Sequence, residues 1–239
     1  MFVYDAAIIK RFPGVRAGLV HASDLSNGPS SSALIEEYQS AQGVARVRLA
    51  VTAISELPSV AAWRQVFSEF GVKPTQHRNA AESLLRRLDK QGGIPTISTL
   101  VDIGNLIAIR YALPVAVLDL AGITGSTTVR FATGTERFPD LGSDEVTHPE
   151  PGEVVFVDET DVLSARRWCW RQSAQSATGA NTREALFVIE AHHQDADREI
   201  EQAWNDLLTL LGTYQAQSTR ISYRLFADQP AAGPDSRVG

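Results

Sequence analysis

The run Leu100-Val-Asp-Ile-Gly-Asn-Leu-Ile-Ala-Ile-Arg-Tyr111, followed by Leu113-Pro-Val-Ala-Val-Leu-Asp119, sets the layout of the chain. It reads as a short buried helix, a turn into a strand, and a further turn over residues 119–126. Two polar residues interrupt its apolar character. Asp102 and Asn105 lie one helical turn apart within Val-Asp-Ile-Gly-Asn, and each needs a hydrogen-bond partner if buried. Asp119 closes the apolar strand.

Toward the N-terminus, residues 15–22 read as a strand after the Pro13-Gly14 turn. The loop over 27–32 offers serines to cap a helix beginning near Ala33, with Leu34, Ile35 and Tyr38 on its apolar face. Gly43 interrupts it, and a second helical stretch runs through Leu49 and Ile54. Pro58-Ser59 starts another helix with Val60, Trp63, Val66, Phe67 and Phe70 inward, which Gly71 ends. A helix over 78–88 buries Ala81, Leu84, Leu85 and Leu88 and spaces Arg78, Glu82 and Arg86 four apart on another face, in the manner of a solvated ion ladder. Toward the C-terminus, strands are expected over 127–132, 153–158 and 185–189. A strand over 165–172 alternates Arg166, Trp168 and Trp170 with Arg167, Cys169 and Arg171. An amphipathic helix spans 197–214, and residues 227–239 form a disordered tail. The expectation is one α+β domain over residues 1–226, with helices first and mixed sheets packed on them in the second half.

The chain has 239 residues, 44% hydrophobic and 21% charged, with a formal charge of −6. The acidity is concentrated. Glu190, Asp195, Asp197, Glu199, Glu201 and Asp206 stand against Arg198 alone, while Arg166, Arg167, Arg171 and Arg183 fall in a stretch without any acid. A local basic patch can therefore steer a polyanion despite the net charge. Cys169 is the single cysteine, which excludes a disulfide framework and a cysteine-based zinc site. No stretch is long and apolar enough to span a bilayer, and the N-terminal MFVYDAAIIKRF lacks signal-peptide order, so a cytoplasmic protein without membrane contact is expected. Nucleophile elbow, Walker loop, dinucleotide fingerprint and His-Glu-x-x-His motif are all missing. His192-His193-x-Asp195 reads as solvated turn chemistry rather than a metal site, Cys169 as a buried small hydrophobe, and His77 as a weak candidate base. No cofactor is called for.

Several runs together resemble the B3/B4 domain of the phenylalanyl-tRNA synthetase beta subunit: Val101-Asp-Ile-Gly-Asn105, Leu113-Pro114 with the strand to Asp119, Val129-Arg130, Gly134-Thr-Glu136, residues 153–158 and residues 182–190. Trp63-Arg64 through Phe70-Gly71-Val-Lys-Pro74, Arg78, Glu82, Arg86-Arg87 and Arg166-Arg-Trp-Cys-Trp-Arg171 are similar to freestanding members of that family. The resemblance covers roughly residues 15–191 and implies the α+β editing-domain fold. It also implies an ester hydrolase that clears mischarged aminoacyl-tRNA, some relatives removing non-protein amino acids such as canavanine. The family's pocket asparagine falls on Asn105, its threonine on Gly104 and its histidine on Ala116, which implies a pocket altered from one that accepts tyrosine. Thr182 and Glu190 match the family's threonine and discriminating glutamate, eight residues apart here and on one strand face. On this reading Asn105 holds the aminoacyl end and Glu190 or Asp102 reads an amino or guanidino group. Gly104, Ala116 and Thr182 shape the pocket, and Arg78, Arg86, Arg166 and Arg171 meet tRNA phosphates. Two alternatives stand beside it: a non-catalytic RNA-binding module on the same scaffold, and a small-molecule hydrolase.

Overall fold

In the computed structural model, which describes residues 1–143, 145–216 and 219–226, the opening run forms α5 (Thr99–Tyr111) and β3 (Val115–Asp119). Ala112 turns between them in the left-handed region (φ 56°). Leu100, Ile103, Leu106, Ile107 and Ile109 are all buried, so most of the surface of α5 is covered. Gly104 lets α5 approach the strand closely: a Cβ there would lie 2.6 Å from Val117 Cγ2.

Strand β3 edges a four-stranded sheet in the order β11 (Arg220–Phe226), β2 (Arg16–Ser23), β10 (Glu184–Ala191), β3, antiparallel throughout. Strand β10 is buried on both faces from Ala185 to Ala191, which is why residues 185–189 carry no polar alternation. Ala185, Phe187, Ile189 and Ala191 face a core built with α2 (Ser32–Val51), α4 (Ala80–Gln91), α5 and α6 (Ala196–Tyr214). Leu186 and Val188 face a second core with β1 (Phe2–Tyr4), α1 (Ala6–Arg11) and α3 (Pro58–Glu69). That core is closed by a five-stranded sheet ordered β1, β4 (Thr127–Phe131), β7 (Val154–Val157), β8 (Leu163–Arg166), β9 (Arg171–Gln172), with β1 parallel to β4. A two-stranded ribbon, β5 (Phe138–Pro139) and β6 (Val146–Thr147), lies between. The expected α+β architecture is present. Helices precede most strands, apart from β1 and β2.

Three local expectations are corrected. Helix α2 runs through Gly43 without a break, because that position is solvent-facing and Ser31 caps a helix long enough to absorb one glycine. The strand expected over 165–172 is interrupted: Arg167 and Trp168 both take positive φ (45° and 60°), making a turn between β8 and β9 that drives Trp168 into the core. The face carrying Arg78, Glu82 and Arg86 is no solvated ladder, since Glu82 is fully buried. The segment read as a disordered tail, 227–239, lies outside the described residues. No helix among the described residues is long and apolar enough to cross a membrane.

Candidate functional site

By alternation along β10, Glu190 points into the second core together with Leu186 and Val188, and it is 2% exposed. Its Oε1 accepts two hydrogen bonds, from the Tyr4 hydroxyl at 2.5 Å and from Trp168 Nε1 at 2.8 Å. Burial pushes its carboxyl up to about 7, although those two bonds favour the ionised form and pull the other way. Burial and Glu190 in turn push the Tyr4 hydroxyl and the Cys169 thiol well up, so Cys169 is no thiolate. His192 sits edge-on against Trp63 (4.4 Å between ring centroids) and Trp168 (5.0 Å). Burial, then His193 and Arg16, brings the His192 imidazole down to about 3, leaving it neutral. It is not part of a solvated turn: the chain end of β10 tucks it among aromatic rings. His193 faces away from it, toward Glu199 at 3.0 Å.

Ala116 shares this face. It pairs with Val188 on the neighbouring strand, and the Glu190 amide reaches the Pro114 carbonyl, so Glu190 stands one step diagonally from Ala116. The remaining expected pocket residues lie elsewhere. Asn105, Gly104 and Asp102 belong to α5, which packs on the face of the sheet opposite to Glu190. Asp102 is a strut: buried, it accepts from Ser30 Oγ (2.6 Å) and the Ile97 amide (2.9 Å), tying two loops to α5. Burial raises its carboxyl while those bonds restrain the shift. Thr182 precedes β10 at the end remote from Glu190, roughly 26 Å along an extended strand. It donates to Asp119 Oδ2 at 2.5 Å and accepts from the Gly179 amide, closing a loop onto β3.

The arginines divide into two kinds. Arg166 is buried and forks onto Glu153 through Nε (3.2 Å) and Nη2 (2.8 Å), which removes it from any phosphate-contacting role. Arg64 and Arg86 each donate to Glu82 Oε1, at 2.7 and 2.8 Å, and Arg78 Nε lies 3.7 Å from the same atom. Three guanidinium groups, with side chains 25%, 40% and 37% exposed, therefore surround one sealed carboxylate and leave two positive charges uncompensated. Beside them the 167–171 turn presents Trp170, with Arg167 4.5 Å and Arg171 5.6 Å from its ring and His77 edge-on at 4.8 Å. Arg171 is half-exposed and pairs with Asp140. Burial and Arg167 lower the His77 imidazole. The Ala80 amide bonds the Cys169 carbonyl, which fixes the turn to the start of α4. One turn thus supplies both Trp168 to Glu190 and Trp170 to a cationic surface.

Sequence reading missed Tyr4, because Phe2-Val-Tyr4 is too short to register as a strand, and missed Arg64 as the third member of the arginine cluster. The spacing of Trp63-Arg64 against Glu82 carried no signal of a contact between helices. Other motif residues hold the scaffold: Glu136 pairs with Arg130 and accepts from the amides of Thr133 and Gly134.

A model of the B3/4 domain family matches residues 62–205. Part of the chain is 35% identical over 69 residues to the phenylalanine–tRNA ligase beta subunit of Shewanella oneidensis, covering 29% of this chain and 9% of that protein. The same subunit of Colwellia psychrerythraea is 36% identical over 72 residues, 30% of this chain and 9% of that protein. The matches thus span about a tenth of those longer relatives. An N-terminal fragment of the phenylalanyl-tRNA synthetase beta subunit from Pyrococcus horikoshii superposes with a TM-score of 0.46 at 10% identity, over 95% of this chain and 54% of that one.

Proposed function

The chain belongs to the B3/4 domain family, and from that premise we propose that it is a trans-acting editing hydrolase that cleaves the ester of a mischarged aminoacyl-tRNA. The observation that carries the proposal is the 167–171 turn, which joins a cationic, aromatic surface to a buried carboxylate beside the family's pocket position at Ala116. Arg64, Arg78 and Arg86 meet the phosphates of the acceptor end, and Trp170 offers a ring for a base. Arg171 contributes at the edge of the same surface. Glu190, walled by Tyr4, Trp168 and His192, receives the amino acid.

An aminoacyl ester is already activated, so orientation of the carbonyl, a positioned water and stabilisation of the oxyanion suffice without a protein nucleophile. A carboxylate lined by aromatic rings suits a cationic group, and an incoming ammonium or guanidinium pulls the Glu190 proton off by opposite-charge attraction. The substrate class favoured is therefore an aminoacyl group carrying a cation, canavanine's guanidino group among them. Entry requires the 167–170 turn to lift, and the two residues held at positive φ are where stored strain would be released. This reading treats residues 1–226 as one folded unit in which both cores share a single sheet.

The sealing of Glu190 favours a second reading, a non-catalytic tRNA-binding module whose pocket has closed. A panel of misacylated tRNAs separates the two. Amino acid release above the spontaneous rate, lost in Glu190→Gln, supports the hydrolase; salt-sensitive binding without release supports the module, and neither binding nor release contradicts both.

A further inference from the structure

Away from Glu190, three strands bring a serine, a histidine and a glutamate into one chain of contacts. Ser222 Oγ on β11 lies 3.3 Å from His21 Nδ1 on β2, and His21 Nε2 lies 2.7 Å from Glu184 Oε1 on β10. The sheet register creates this trio: Ser222 and Leu186 both pair with His21, and Glu184 stands one step diagonally. The three side chains rim a cavity of about 380 Å³ between the two sheets, walled by Phe2, Leu19, Leu120, Ile123 and Leu186. They are reachable from solvent, His21 being 40% and Glu184 52% exposed, with Ser222 on the outer strand.

We propose that Ser222, His21 and Glu184 form a second hydrolytic site, which takes esters of small apolar acyl groups into the cavity below them. His21 Nε2–H donates a hydrogen bond to Glu184, which fixes the tautomer that presents the Nδ1 lone pair to the serine hydroxyl. Ser222 Oγ attacks the ester carbonyl while its proton passes to His21 Nδ1. The tetrahedral adduct expels the alcohol, which takes that proton from the imidazolium, and an acyl-serine remains. Water then repeats the cycle: His21 accepts a proton from water as the new C–O bond forms, and Ser222 regains a proton as it leaves. The balance is one ester and one water to one acid and one alcohol. A volume near 380 Å³ is at the small end for ligand cavities and admits a butyryl to hexanoyl chain. Nothing in this inference depends on Glu190 or on tRNA.

The test treats the full chain with a fluorophosphonate probe and with p-nitrophenyl butyrate. Phosphonylation is expected at Ser222, mapped by peptide mass, and Ser222→Ala is expected to lower kcat/KM for the ester by about 100-fold or more, with Glu184→Gln about 10-fold down. Far-UV circular dichroism matching the wild type shows that the variants fold, as their exposed positions favour. No phosphonylation of the folded chain, labelling at another residue, or full esterase activity in Ser222→Ala, which would leave His21 as a mere imidazole catalyst, each overturns the proposal.

Discussion

Glu190 and His192 are ionisable groups held in their uncharged forms by the same aromatic surroundings, and each leaves a signature in stability against pH. The Glu190 carboxyl, pushed up to about 7, keeps its proton in the folded chain over a range where the unfolded chain has released it. Its contribution is fully present below the ordinary carboxylate range and is lost as pH rises through about 7. That loss amounts to about 3 kcal/mol. Glu190→Gln keeps an acceptor for Tyr4 and Trp168 but has no proton to lose, so thermal unfolding at pH 5 and pH 8 is expected to differ less in the variant than in the wild type. Equal differences would place Glu190 in solvent. His192 works in the opposite sense: brought down to about 3, it favours the fold above the ordinary histidine range, and that advantage is lost as pH falls toward 3. His192→Phe preserves the ring contacts with Trp63 and Trp168 and is expected to flatten the acid limb of the stability curve, measured by chemical denaturation between pH 4 and 7.

At the scale of elements, two junctions decide the arrangement. The first is α5 on β3, where Gly104 lets the helix backbone sit against Val117. Gly104→Ala forces a shift there and is expected to destabilise by about 1–3 kcal/mol, and Val117→Ala in the same chain to recover part of that loss; additive losses in denaturant titrations would deny the contact. The second is the 167–170 turn. Apolar periodicity made α3, α4, α5 and α6 legible from sequence, because an inward face repeats every three or four residues whatever it packs on. The turn was not legible. Arg166-Arg-Trp-Cys-Trp-Arg171 alternates as a strand does, and only tertiary demand, the Trp168 indole reaching Glu190, puts two adjacent residues at positive φ. The same blindness hid the arginine cluster: spacing showed Arg78, Glu82 and Arg86 in line, but not that Glu82 is buried or that Arg64 reaches it from α3. Arg166 does not face phosphate for the same reason, its partner Glu153 being thirteen residues away, just before β7.

For the whole molecule, the formal charge of −6 is a poor guide to partners, because the acids collect between Glu190 and Asp206 while the arginines meet around α4 and the 167–171 turn. Arg78→Ala and Arg86→Ala are each expected to weaken tRNA binding and to reduce the slope of log affinity against log salt by about one, whereas Arg166→Ala should cost about 1–3 kcal/mol of stability, because it removes the forked partner of Glu153 and leaves that carboxylate paired with Arg167. Filter binding over a salt series, with unfolding measured in parallel, distinguishes the two classes of arginine. The candidate site was partly legible in the sequence: Ala116 and Glu190 come together on one sheet face, because strand pairing carries residue alternation into space. Asn105 and Asp102 separate from them, because motif order along a chain does not say which face of a sheet each element covers, and Thr182 separates because eight residues of extended chain carry it to the other end of β10. The central claim, that Glu190 serves hydrolysis of a mischarged tRNA, is tested most directly by the release of amino acid from a misacylated tRNA bearing a cationic side chain. Wild-type release is expected to run well above the spontaneous rate and to be lost in Glu190→Gln. Equal release by the two proteins would contradict it.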